Sequence, residues 1–186
     1  MKKNNRKRAK RGTSAKGSAS AEKYLTFYID GQLYCIPTSQ VVEIIRIQPM
    51  TFLPNLPDYV KGVINLRGRI VPVIDMRLRL HKEEREYSSR TSVVIVEQGE
   101  NTVGLIVDGV KDVLDVTEDQ IDETLQSRKA VGRRFVRGIV TLGREAALFL
   151  DLAEVLTHRG AESRRKEPRE QAKGEERQLS SGQPVA

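Results

Sequence analysis

The sequence predicts an all-β protein with short helices, arranged as two similar small barrels. Three observations carry that expectation. Between residues 24 and 158, short β-rich runs alternate with turn signals, a pattern of barrels rather than of a parallel α/β sheet. That stretch also matches itself at a fixed order of motifs. The length, 186 residues, suits one domain or two small subdomains that share a core.

Residues 25–29 and 33–36 are β-rich and flank Asp30-Gly31, a tight-hairpin signal because glycine tolerates positive φ. Thr38 or Ser39 is suited to cap a short turn of helix that carries Val41, Val42 and Ile45. Pro49, Pro54 and Pro57 make the next stretch an extended loop. Residues 62–66 and 69–74 flank Arg67-Gly68 and are almost continuously apolar, as strands buried on more than one side are. Pro72 has no N–H, so it belongs at an edge or a bulge. Residues 76–80 read as a short helix, and the polar run 82–86 as the midpoint loop. Residues 92–96 and 102–107 form a second hairpin around Gly99-Glu100-Asn101. The segment 117–133 is polar and weakly helical, a mobile connection. Residues 135–142 and 146–150 make a third hairpin with Gly143 in its turn, and Asp151 caps a closing helix that runs to Leu156.

The repeat is the most informative feature. Val41-Val42-Glu43-Ile44-Ile45 matches Val110-Lys111-Asp112-Val113-Leu114 without a gap, and Tyr59-Val60-Lys61-Gly62-Val63-Ile64-Asn65-Leu66 matches Phe135-Val136-Arg137-Gly138-Ile139-Val140-Thr141-Leu142. After each second match come a glycine-containing turn, an apolar strand and an aspartate, Asp75 or Asp151, that opens a short helix. The offsets are 69 and 76 residues. Two halves follow, 24–85 and 86–158, each expected as a small antiparallel barrel, too small to be very stable alone and joined by an apolar seam.

Charge divides the chain differently. Residues 1–23 hold nine Lys/Arg against Glu22, a net +8; residues 24–158 sum to −3; residues 159–186 sum to +2. The basic run from Lys2 to Arg11 and the Gly/Ser-rich stretch after it bury too little to offset their ordering, so 1–23 and 159–186 are expected as disordered charged tails. No apolar run reaches the ~18 residues of a membrane span, and no apolar block follows the basic start, so neither a span nor a secretory signal is expected.

Enzyme chemistry finds no foothold. The sequence lacks a GxxxxGK[ST] loop, a GxGxxG after a strand and a GxSxG elbow. Its two histidines, His81 and His158, lie in different halves beside basic residues, and no His/Cys spacing fits a metal. The single cysteine, Cys35, sits in an apolar run and reads as a small buried hydrophobe. Catalytic residues, metal ligands and a cofactor are therefore not expected. Glu43 stands out because it interrupts an apolar stretch, where an acid buried alone is costly. An ion pair with Arg67 in the same half answers that cost and would fix a turn beside a binding surface. Asp112 takes the place of Glu43 in the second half, where no arginine matches Arg67, so the pair belongs to the first half alone.

The segment from Val60 to Asp75, with Asn65-Leu66-Arg67-Gly68 at its centre, resembles the hallmark of the CheW family of bacterial chemotaxis coupling proteins. Leu25-Thr26-Phe27-Tyr28-Ile29 resembles the family's first strand, Val41-Val42-Glu43-Ile44 its V-x-E-I element, and Val103 to Val110 its second-half motif. The likeness covers about residues 24–158. It implies two intertwined SH3-like five-stranded β-barrels around a shared hydrophobic core, and a cytoplasmic, non-catalytic adaptor recruited to receptor arrays. The adaptor would link the histidine kinase CheA to the helical cytoplasmic tips of transmembrane chemoreceptors. The resemblance places Leu25, Thr38, Val41 and Val110 along a groove for the receptor tip. It places Glu43, Ile44, Gly62, Arg67 and Gly68 on the element that meets the kinase's CheW-like regulatory domain. Other CheW-like modules are further expected partners, and a small-molecule substrate is not. A competing reading, a small barrel that binds nucleic acid through its basic tails, needs exposed aromatics among basic residues. Tyr24, Phe27, Tyr28 and Tyr34 instead lie largely in apolar strands of an acidic body.

Overall fold

The structure is a computed structural model that describes residues 21–123 and 134–157. The expectations for residues 1–20, 124–133 and 158–186 lie outside the described residues, while Glu22 and Lys23, expected in the tail, open the first strand.

Among the described residues eleven strands form two sheets, accompanied by two short α-helices. In chain order these are β1 (Glu22–Ile29), β2 (Gln32–Pro37), β3 (Val41–Arg46), β4 (Val60–Leu66), β5 (Arg69–Asp75), α1 (Met76–Arg79), β6 (Ser92–Gln98), β7 (Asn101–Val107), β8 (Gly109–Val116), β9 (Ile121–Asp122), β10 (Val136–Leu142), β11 (Glu145–Leu150) and α2 (Leu152–Leu156). One sheet runs β8-β1-β2-β11-β10-β9, the other β3-β6-β7-β5-β4. Asp30-Gly31 and Arg67-Gly68 turn their hairpins with φ of 51° and 75°, and of 52° and 86°. Both residues of each turn are left-handed, which suits the right-handed twist of the flanking strands.

Residues 41–46 form a strand, not the expected helix. Four of the six are β-branched, and the burial alternates with Val41, Glu43 and Ile45 inward and Val42, Ile44 and Arg46 outward. The helical turn is confined to a 3-10 turn at Thr38–Gln40. Pro72 lies in β5, between β7 and β4, yet pairing to β7 starts only at Val73, so its missing N–H falls beyond that ladder. Asp75 and Asp151 cap α1 and α2 as expected. Asp75 Oδ1 accepts from Arg77 N at 2.8 Å, and Asp151 Oδ1 from Glu154 N at 3.1 Å.

The sheets do not divide the chain into its two halves. β3 pairs with β6, and β5 runs parallel to β7, so the β6–β7 hairpin completes the sheet that holds β3, β4 and β5. Reciprocally, β8 pairs with β1 and β11 runs parallel to β2. Each half thus lends its first hairpin to the other. The two parallel contacts correct the expectation of purely antiparallel barrels.

Three apolar clusters follow from that exchange. One fills the five-stranded sheet with Ile64, Val71, Val73, Val93, Ile95 and Ile106. A second, around Tyr24, Cys35, Val140 and Phe149, lies in the six-stranded sheet. The largest takes residues from both sheets, among them Leu25, Phe27, Ile36, Val94, Val96 and Leu105, and is the shared seam. Cys35 is fully buried, and burial pushes its thiol up to about 12. A thiol reagent at pH 8 should therefore leave Cys35 unmodified in the native protein and label it in denaturant; rapid native labelling would contradict this packing.

Candidate functional site

Val41 begins β3 in the five-stranded sheet, and Val110 lies near the start of β8 in the six-stranded sheet. Both are half-buried and pack against the margin of the shared core. Thr38 stands, half-buried, on the short turn that carries the chain from one sheet to the other. Leu25 differs from the other three. It is 2 % exposed and part of the core itself, so it backs this margin from beneath. A cleft of about 760 Å³ adjoins Val110, lined also by Tyr28, Arg77, Arg90 and Asp108. Asp108 is held there by Arg77 at 2.7 Å and by the Asp30 N–H at 2.7 Å, which anchors the entry of β8 to α1 and to the β1–β2 turn.

The second group of residues converges on one barrel. Arg67 Nη2 lies 2.9 Å from Glu43 Oε2, the ion pair expected from the acid within an apolar run. It ties the β4–β5 turn to β3. Asn65 Oδ1 accepts from Gly68 N at 2.8 Å and closes the same turn. Ile44, the next residue of β3, faces solvent. Gly62 is buried, with Thr51 O 2.3 Å from the point where a Cβ would stand, so it admits the backbone at Thr51 against β4. The pair is confined to the first half: among the described residues no ion pair joins Asp112 to the corresponding turn at Gly143-Arg144.

The exposed apolar side chains add residues that the sequence did not single out. Val42, Phe52, Leu53, Leu56 and Ile70 belong, with Ile44, to the five-stranded sheet or its connecting loop; among the described residues Val113, on β8, is the exception. Exposed large apolar side chains gathered on one sheet fit a protein contact better than bare solvent. Once residues 41–46 are a strand, the two-residue alternation alone turns Val42 and Ile44 outward.

The Cys35 thiol is buried and held protonated. His81 is exposed, its ring tilted against Phe135 at 6.3 Å. No group of three metal-ligating side chains occurs among the described residues, and no described helix is long and apolar enough to cross a membrane. Two sheets locked by exchanged hairpins, with an apolar margin between them and an apolar, ion-paired flank on one, define a docking module.

The family model for the CheW-like domain matches residues 23–160. The chain is 33 % identical over 141 residues to chemotaxis protein CheW of Klebsiella aerogenes, covering 76 % of this chain and 85 % of that one. It is 32 % identical over 139 residues to a probable chemotaxis protein CheW of Rhizobium etli, covering 75 % and 90 %. The crystal structure of the scaffolding protein TtCheW from Thermoanaerobacter tengcongensis superposes with a TM-score of 0.66 at 30 % identity, covering 70 % of this chain and 89 % of that one. The chain belongs to the CheW family, whose members are chemotaxis scaffolding proteins and not enzymes.

Proposed function

We propose that this scaffold couples chemoreceptors to the histidine kinase CheA through two separate surfaces. The receptor's helical hairpin lies along the inter-barrel margin, on Thr38, Val41 and Val110, with Leu25 behind them. The kinase's regulatory domain, itself CheW-like, docks on the flank formed by Glu43, Ile44, Arg67 and Gly68, which Gly62 supports from within. The observation that carries the reading is that Val41 and Val110 come from different sheets to the edge of one core. A helix laid in a groove needs apolar anchors of this kind. The protein works in the cytoplasm at membrane-associated receptor arrays, where several modest contacts gain strength through multivalency, with further CheW-like modules as neighbours. Retention of the full-length protein by a receptor cytoplasmic fragment, and separately by the kinase regulatory domain, tests both surfaces.

The ion pair yields a prediction of its own. The Arg67 side chain is 80 % exposed and that of Glu43 23 %, so solvent screens the pair and its contribution to folding is below about 1 kcal/mol. At a docked interface the same charges lose water, and removing one leaves the other unpaired. Arg67→Ala should leave the thermal midpoint within about 3 °C of the wild type. Affinity for the kinase regulatory domain should fall by about 2 kcal/mol. A double-mutant cycle with Glu43→Ala that shows no coupling in binding would remove the pair from the interface.

A further inference from the structure

Arg79, the last residue of α1, is the one buried cation among the described residues, at 4 % exposure. No carboxylate pairs with it there. Its Nε donates to Val155 O at 2.7 Å, and its Nη2 to Thr157 O at 2.6 Å and Glu154 O at 3.2 Å. These carbonyls belong to the end of α2, where a helix lacks internal donors. The guanidinium carbon lies 4.7 Å from the ring centre of Tyr59 and 4.6 Å from that of Phe135, the geometry of a cation–π sandwich.

Tyr59 and Phe135 are equivalent in the repeat. Each also gives its carbonyl to the N–H of the aspartate that caps the next helix, Tyr59 O to Asp75 N at 2.7 Å and Phe135 O to Asp151 N at 2.9 Å. A group equidistant from two equivalent rings sits at the centre of the relation between the halves. Only one half can supply it, and the second half places Val155 at the position that matches Arg79.

We infer that Arg79 is a positioning residue that sets the angle between the two barrels, and thereby the width of the groove bordered by Val41 and Val110. The inference rests on the receptor reading above. The shared seam is apolar, and apolar burial is non-directional, so it tolerates small rotations of one barrel on the other. A planar guanidinium with three fixed acceptors does not. Buried polar groups serve best as such registry devices. The receptor groove needs both barrels, whereas the kinase flank lies on one. Losing the guanidinium must therefore weaken the first contact and spare the second.

The test uses the full-length protein with Arg79→Met, and with Arg79→Lys, which keeps the charge and loses the planar fork. Spin labels at Arg69→Cys, the exposed first residue of β5, and Arg144→Cys, in the β10–β11 turn of the other barrel, report the inter-barrel distance, since the buried Cys35 takes no label. In either variant the distance distribution should shift and broaden. Affinity for the receptor fragment should fall about tenfold, while that for the kinase domain stays within about twofold. Should Arg79→Met fail to fold, Arg79→Lys gives the same readings. An unchanged distance distribution, or loss of both affinities together, overturns the inference; so does a shifted distance with intact receptor affinity. Undiminished receptor binding by Val41→Asp would instead refute the groove itself, with the distance shift still observed.

Discussion

Replacing Gly62 with alanine should lower the midpoint of thermal unfolding by about 10 °C, near the top of what one methyl group can do. Gly62 has φ of 141°, a region L-residues rarely adopt, and strain of that kind costs about 1–3 kcal/mol. The added Cβ would stand 2.3 Å from Thr51 O and 2.9 Å from Thr51 C, backbone atoms that cannot rotate aside. Relief requires moving the loop, which breaks the paired bonds from Thr51 N to Val63 O and from Val63 N to Thr51 O, each 2.9 Å. Overpacking adds about 1–3 kcal/mol, for a total near ~3 kcal/mol. Gly68 is the control. Its φ is 86°, but nothing lies within 4 Å of the Cβ position, so Gly68→Ala should cost about 1 kcal/mol. Gly138, whose Cβ would meet Asp122 O at 2.7 Å without a positive φ, should fall between them. Equal midpoints for the Gly62 and Gly68 variants in a calorimetric scan would refute the steric account.

The contrast between those glycines shows how far the sequence can be read. The repeat exposed both Gly62 and Gly138, and the structure gives them one job: each admits a passing backbone at a bulge, the first between Val60 and Gly62, the second between Val136 and Gly138. Local chemistry was legible in the same way. Asp-Gly and Arg-Gly pairs announced their turns, and an acid within an apolar strand announced its arginine. The resemblance implied intertwined barrels, but the repeat alone did not show which hairpins are exchanged, for a physical reason. β1–β2 and β6–β7 occupy equivalent places in the repeat, so either offers β3 or β8 a comparable apolar edge, and pattern alone cannot choose between the pairings. Arg79 was hidden because a charged residue in a four-residue helix looks exposed. The available signal was the valine at the matching position, Val155, which marks a buried site.

The largest functional effect should come from Val41→Asp. In the free protein Val41 is half-buried at the start of β3, opposite Val96, where a carboxylate keeps part of its hydration. Folding should lose about 1–2 kcal/mol, and the protein should still melt cooperatively. Under a docked helix the same carboxylate would lose its water. The nearest charged groups on β3 are Glu43 and Arg46, and Glu43 is engaged with Arg67. Stripping water from an unpaired charge costs several kcal/mol, so receptor affinity should drop by more than about a hundredfold. Val110→Asp, on the opposite sheet, should act alike, because the proposed groove takes one wall from each sheet. Retention of the variants on immobilised receptor fragment measures this directly, with kinase-domain binding as the check that the five-stranded barrel is intact. Loss with Val41→Asp but not with Val110→Asp would place the helix on one barrel, and full retention by both would remove it from the groove.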